Sequence, residues 1–351
     1  MTTTRTLGVG IIGASAGRGW AKAAHVPAVR HLAGLELAAV AGGNQEKSDA
    51  AAREFGAKAA YGDAHDLVRD PVVDIVTVAV KVPDHRELVL AALAAGKGVY
   101  CEWPLGRNVA ETDEMARAAE AAGVRTAIGL QTRRNPAARR ARELLAAGAV
   151  GRVLSARVYS STAAFGPTVE AAMAFGEQAE NGVTLATIQG AHTLDCAQDL
   201  LGEFNDLNAL ATIQYPQVEI GKEARRQART TPDHLLVQAR LVAGGALSVE
   251  VAGGRPAGKT PFRLEVTGEA GDLVLTGGAM RGFQSGRLSL VVKGEPVEMD
   301  EGELAGLSDE ALNVAGVYAA LRDDVLHGTR DAPDFDDASR LARLVERVLA
   351  S

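Results

Sequence analysis

The sequence predicts an α/β chain of two domains: a doubly wound parallel sheet over residues 1–130, then an α+β domain with a large open mixed or antiparallel sheet over residues 131–351. Three observations lead there. At 351 residues the chain exceeds what one hydrophobic core ordinarily organises. From Leu7 to Leu130 short β-branched runs alternate with longer amphipathic segments, the rhythm of parallel strands joined by crossover helices. Beyond Asn135-Pro136 the rhythm changes, and strand patterns follow one another with few helices between.

In the first domain the expected strands are residues 7–12, 35–41, 75–80, 98–101 and 125–129. Apolar spacing near 3.6 predicts helices over 46–55, 85–95 and 110–122, each closing at or near Gly56, Gly96 or Gly123. A further helix, 137–147, leads into the second domain, where alternation predicts strands over 152–160, 207–214, 234–242, 246–252, 262–267, 273–275 and 287–292. A long helix over 183–201 interrupts that series, and helices over 309–326 and 337–349 follow it, the last free to pack back on the first domain. The polar stretch 222–233 and the acidic stretch 300–310 read as solvated loops.

Composition excludes several classes of function. Hydrophobic residues are 47% and charged residues 23%, and no apolar run approaches the roughly 18 residues of a membrane helix. The start, Met1 to Thr6, runs straight into the first strand without a secretory apolar region, so the expected compartment is the cytoplasm. Cys101 and Cys196 lie in apolar contexts that favour buried free thiols. With 37 basic against 44 acidic residues the net charge is −7, which disfavours nucleic acid as a partner, and 4% aromatics are too few for a base-stacking platform. No residue is assigned to a metal.

The run Ile11-Ile-Gly13-Ala-Ser15-Ala16-Gly17-Arg-Gly19-Trp20 follows the first strand and opens a helix, the context in which backbone N–H groups cradle a pyrophosphate. Its spacing departs from GxGxxG at Ser15 and Arg18, and a plain strand-to-helix turn is the other reading. The second strand ends Ala41-Gly-Gly-Asn44 with no acidic residue to grip a ribose 2′-hydroxyl. Asn44 can bond a hydroxyl and Lys47 can neutralise a 2′-phosphate, which leans the cofactor from NAD toward NADP; an exposed helix lysine is the alternative.

At Tyr100-Cys-Glu102-Trp103-Pro104-Leu105 the chain resembles the Gfo/Idh/MocA oxidoreductases, sugar and cyclitol dehydrogenases with a Rossmann domain and an α/β lid. Val82-Pro83-Asp84-His85, Ala95-Gly96-Lys97, Gln131-Thr-Arg133-Arg-Asn-Pro136, Gly190-Ala-His192-Thr-Leu-Asp195 and Thr267-Gly-Glu-Ala-Gly271 carry the same resemblance. It implies a cofactor held by Gly13, Ser15, Ala16, Gly17, Asn44, Lys47, Val80, Val82, Pro83, His85, Glu102 and Gln131, a pocket between domains, and a homo-oligomer paired through the second-domain sheet. In the family the strand is followed by Glu-Lys-Pro, whose lysine assists proton transfer and whose proline is often cis; here Trp103 replaces the lysine. Indole N–H is a donor only, so Trp103 cannot act as a base and is assigned instead as a wall that stacks on sugar or nicotinamide. The family's helix aspartate is Ile188 here.

His192 and Asp195 remain at i, i+3 on one helical face, where a carboxylate can orient an imidazole for proton transfer; a structural histidine is the other reading. Lys81, at the carboxyl end of a strand, can supply the missing ammonium or stand as a solvated or phosphate-contacting lysine, and Arg133 is a candidate substrate contact. The expected function is an NAD(P)-dependent oxidoreductase of a carbohydrate or polyol-like substrate. The combination of motifs resembles most the branch of the fungal galactose-regulon repressors. That implies the alternative of a catalytically silent dinucleotide-binding regulator or sensor that engages a protein partner.

Overall fold

The protein is described by a computed structural model covering residues 5–255, 261–279 and 281–351; residues 1–4, where the leader reading begins, lie outside the described residues. It divides into two compact units, residues 1–131 with 302–339 and residues 132–301 with 340–351. No helix among the described residues is long and apolar enough to cross a membrane. The segment 302–339 clusters with the first unit, while the expected boundary at residue 130 left only the last helix, 337–349, free to pack there.

In the first unit, strands β1 (Leu7–Ile12), β2 (Leu35–Ala41), β3 (Ala59–Tyr61), β4 (Ile75–Val78), β5 (Gly98–Cys101) and β6 (Thr126–Ile128) form one parallel sheet in the order β3-β2-β1-β4-β5-β6. The crossover helices are α1 (Val26–His31), α2 (Gln45–Phe55), α3 (Ala64–Arg69), α4 (His85–Ala94) and α5 (Val109–Ala122). Asn44 and Asn108 cap α2 and α5 by accepting from the backbone N–H of Lys47 and Glu111, satisfying donors that a helix start leaves open. The sequence reading missed β3 and α3 because an edge strand of three half-buried residues and a helix of six carry too little periodicity. It also ran the fourth strand to residue 80; the strand stops at Val78, and a 3-10 turn, Val82–Asp84, follows with Pro83 in its first positions, where a missing N–H costs nothing.

In the second unit, α6 (Pro136–Ala146) precedes β7 (Val153–Ser161), β8 (Thr168–Val169), α7 (Ala191–Leu201) and strands β9 (Phe204–Thr212), β10 (Gln217–Ile220), β11 (Arg225–Ala228), β12 (His234–Leu241), β13 (Ala246–Ala252), β14 (Phe262–Gly268), β15 (Gly271–Gly277), β16 (Leu288–Val292) and β17 (Glu295–Val297). Eight strands form a mixed sheet in the order β17-β16-β15-β14-β7-β13-β12-β9, parallel only between β7 and β13. Along β12, Leu235, Val237, Ala239 and Leu241 are buried, as period-two alternation requires of a sheet covered on one face, and α6 and α7 pack against the sheet. The opposite face carries exposed Tyr159, Leu210 and Leu236, cross-strand neighbours through Glu250.

The reading of 222–233 as a solvated loop is corrected. Arg225–Ala228 is a strand paired with β10 in a second, three-stranded sheet, and Arg229, Thr231 and Asp233 are buried. The Arg229 guanidinium meets Glu177 at 2.9 and 3.0 Å, Asp233 at 3.0 Å and the carbonyls of Phe165 and Gly166 at 2.7 and 2.9 Å. A charged window looks solvated when the partner that neutralises it lies 52 positions away. The stretch 300–310 likewise holds a 3-10 turn, Gly302–Leu304, buried Leu304 and Leu307, and the Ser308 cap of α8 (Asp309–His327), which packs on α1 in the first unit. Helix α9 (Phe335–Ala350) follows.

Candidate functional site

Between β1 and β4 the first unit's strand order reverses, so their carboxyl ends open a crevice where open α/β sheets take their ligands. Gly13 turns the chain there at φ 96°, and a Cβ on it would stand 2.4 Å from the Ala79 carbonyl oxygen, so only glycine fits. The N–H groups of Gly13 and Ala14 donate to the Ala41 carbonyl, tying the loop to the end of β2. Ser15 and Gly17 are exposed, and no atom lies within 4 Å of a Cβ built on Gly17, so the loop presents bare backbone on that side. The Ala16 carbonyl accepts from Lys22. The helix that follows begins with a π-helical turn, Ala21–His25, a local irregularity often found at functional sites.

Several expected contacts line this edge. Asn44 uses its oxygen as the α2 cap, and exposed Lys47 holds its Nζ 4.0 Å from the Cβ position of Gly43. Val80 is half-buried, Lys81 and Pro83 are exposed and Val82 is buried. His85 is 1% exposed, with Nδ1 2.9 Å from the Pro104 carbonyl and 3.4 Å from Cys101 Sγ, and Nε2 3.2 Å from the Val80 carbonyl. It thereby braces the β4 exit against the turn after β5, and burial lowers its pKa.

Tyr100 and Glu102 share a face of β5 and its extension, at i and i+2. Tyr100 Oη, Glu102 Oε1 and Gln131 Oε1 are buried polar atoms without a hydrogen-bond partner in the described residues. Native interiors seldom leave such groups unmet. Trp103 is 8% exposed and precedes Pro104 across a cis peptide bond. The sequence reading passed over His25, which is fully buried, with Nδ1 2.9 Å from Tyr318 Oη and Nε2 3.1 Å from Glu102 Oε1. The available signal was a single polar residue in the apolar stripe Ala21, Ala24, His25, Ala28, Val29.

In the second unit a π-helical turn, Ala186–Gly190, leads into α7, and Ile188 lies in that turn. The expected orientation of His192 by Asp195 is corrected. Asp195, 1% exposed, accepts from Arg133 Nε at 2.9 Å and Nη2 at 2.6 Å, while His192 Nδ1 has no hydrogen-bond partner among the described residues. A guanidinium offers two parallel donors in the plane of the carboxylate and takes it ahead of a neighbouring imidazole. Burial pushes the His192 pKa down to about 3, so at neutral pH the ring is uncharged and a weak base. Gln189 Nε2, 2.5 Å from Ser160 Oγ, ties the helix entry to β7.

Two family models match the chain: an oxidoreductase family with an NAD-binding Rossmann fold over residues 7–130, and the C-terminal domain of Gal80p over residues 136–277. The dehydrogenase aclE of Aspergillus oryzae is 32% identical over 249 residues, 69% of this chain and 68% of that one. The chain belongs to the Gfo/Idh/MocA oxidoreductase family. Within that family it is also similar to the galactose/lactose metabolism regulatory protein GAL80 of Saccharomyces cerevisiae, 29% identical over 77% of this chain and 67% of that one. The crystal structure of a super-repressor mutant of that protein superposes with a TM-score of 0.86 at 26% identity, covering 99% of this chain and 96% of the other. A levoglucosan dehydrogenase of Pseudarthrobacter phenanthrenivorans is 27% identical over 67% of this chain and 63% of its own.

Proposed function

We propose that the protein is an NAD(P)-dependent oxidoreductase of a carbohydrate or polyol-like substrate. The observation that carries this reading is the set of unmet buried acceptors, Glu102 Oε1 and Gln131 Oε1, at the same sheet edge as the bare Gly13–Gly17 backbone. Those residues fit a dinucleotide, with pyrophosphate on the loop and hydroxyls on the acceptors. When bound, a dihydronicotinamide supplies hydride to a carbonyl carbon. The chain then positions the substrate and delivers a proton to the carbonyl oxygen. With His192 neutral and Trp103 unable to titrate, exposed Lys81 at the β4 edge is the proton donor in this proposal. Lys47, with no carboxylate at the end of β2, favours NADPH over NADH.

A second reading is favoured by Trp103 and Ile188 standing where the family carries a lysine and an aspartate, and by the Gal80p model over the second unit. On that reading the protein binds dinucleotide and reports it to a protein partner without turnover. Purified protein incubated with NADPH or NADH and a panel of ketoses and sugar lactones separates the two. Consumption of the reduced cofactor that falls at least tenfold in Lys81→Met supports the enzyme; tight binding with no turnover across the panel overturns it in favour of the regulator. Unchanged turnover in Lys81→Met removes the lysine from the mechanism.

A further inference from the structure

Behind Glu102 lies a chain of buried polar groups drawn from four separate segments. The Tyr318 hydroxyl oxygen on α8 is 2.7 Å from Thr77 Oγ1 on β4 and 2.9 Å from His25 Nδ1, and His25 Nε2 is 3.1 Å from Glu102 Oε1. Thr77 and Tyr100 are register partners in adjacent strands, so they point to the same side of the sheet. Tyr100 and Tyr318 meet the imidazole edge-on, at centroid distances of 5.1 and 5.7 Å, and fix its plane.

Each hydroxyl holds one proton and a neutral imidazole holds one, so two neutral arrangements run donor to acceptor in series, and a third, in which the Tyr318 oxygen accepts from both neighbours, leaves the Tyr318 proton unmet. In the first, Thr77 donates to Tyr318, Tyr318 donates to Nδ1, and the ring proton sits on Nε2 facing Glu102. In the second, Nδ1–H donates to Tyr318 and Tyr318 donates to Thr77. The Thr77 proton then has no acceptor among the described residues, and the bare Nε2 lone pair opposes a carboxylate oxygen at 3.1 Å. The first arrangement leaves only the Nε2 proton to come into line, 3.1 Å from a carboxylate oxygen that can accept it; the second leaves the Thr77 proton unmet and sets two lone pairs against each other.

We propose that Thr77 and Tyr318 fix His25 in its Nε2–H tautomer, making His25 a positioning residue that aims the Glu102 carboxylate at the ligand. The Nε2 and Oε1 atoms are close but not in hydrogen-bond alignment. The fully buried ring is clamped while the glutamate side chain is 18% exposed, so the carboxylate is the partner that turns into line. The inference rests on the reading of this edge as the dinucleotide site.

The full chain with ¹⁵N-labelled histidine tests it through long-range ¹H–¹⁵N spectra, the His25 signals being assigned among seven histidines by their loss in His25→Gln. A protonated Nε2 and a bare Nδ1 are expected; a protonated Nδ1, or a ring protonated at both nitrogens, overturns the proposal. Tyr318→Phe is expected to mix the tautomers and weaken NADPH binding by calorimetry about five- to tenfold, the scale of one lost hydrogen bond. Full affinity with an unchanged tautomer overturns it. Should Tyr318→Phe not fold, Thr77→Val removes only the first donor and is expected to weaken binding about two- to threefold, with a tautomer shift in the same direction. Wild-type protein that binds no dinucleotide refutes the site reading, while the wild-type tautomer still decides the relay.

Discussion

Two regions of the molecule treat buried polar groups in opposite ways. Around Arg229 in the second unit the accounting closes: five guanidinium N–H groups meet five acceptors, and Asp233 also accepts from the backbone of Gln214 and Tyr215 at 2.6 and 2.9 Å. At the carboxyl edge of the first unit the accounting stays open at Tyr100, Glu102 and Gln131. A closed network fixes a fold, here the three-stranded sheet and the loop before α7. Open acceptors at the sheet edge are what the proposed dinucleotide would meet. His192 combines the two, a ring buried by the fold with one nitrogen unmet.

The largest effect is expected where the network is closed. Arg229→Met strands two buried carboxylates and should cost about 3–5 kcal/mol of stability, read in chemical denaturation; a loss below about 1 kcal/mol would erase the distinction between the two regions. Next comes acid. Because the His192 pKa is about 3 in the folded chain and near 6.5 when unfolded, the unfolded state takes up the proton first as pH falls. Stability attributable to this group is therefore complete above about pH 6.5 and declines toward pH 3, by about 3 kcal/mol at pH 4. His192→Gln should flatten that segment of the stability profile, and an unchanged profile would show that the ring is not held neutral. The smallest effect belongs to the exposed edge: Lys47→Glu should shift preference from NADPH toward NADH about five- to tenfold in binding, an exposed charge being worth about 1 kcal/mol.

Much of the first unit was legible because parallel strands buried on both faces read as β-branched runs, and residues 7–12, 35–41 and 98–101 match observed strands. The turn at Gly13 was legible too, since its conformation is set by neighbours in sequence. His85 and Asp195 could not be given their partners from sequence, for one reason. The atoms that engage them, the Pro104 and Val80 carbonyls and the Arg133 guanidinium, belong to other segments, and side-chain chemistry alone does not say which acceptor a donor reaches first. Arg229 was misread in the same way.

By itself the sequence determined the α/β plan, the glycine turn after β1 and family membership, because periodicity and glycine conformation are properties of adjacent residues. Only the tertiary structure decided that Arg133 takes Asp195, that Glu177 neutralises Arg229, and that Tyr318, 293 positions from His25, stands against its ring. Those pairings form when distant segments bury polar atoms together, and burial is what obliges each donor to find an acceptor.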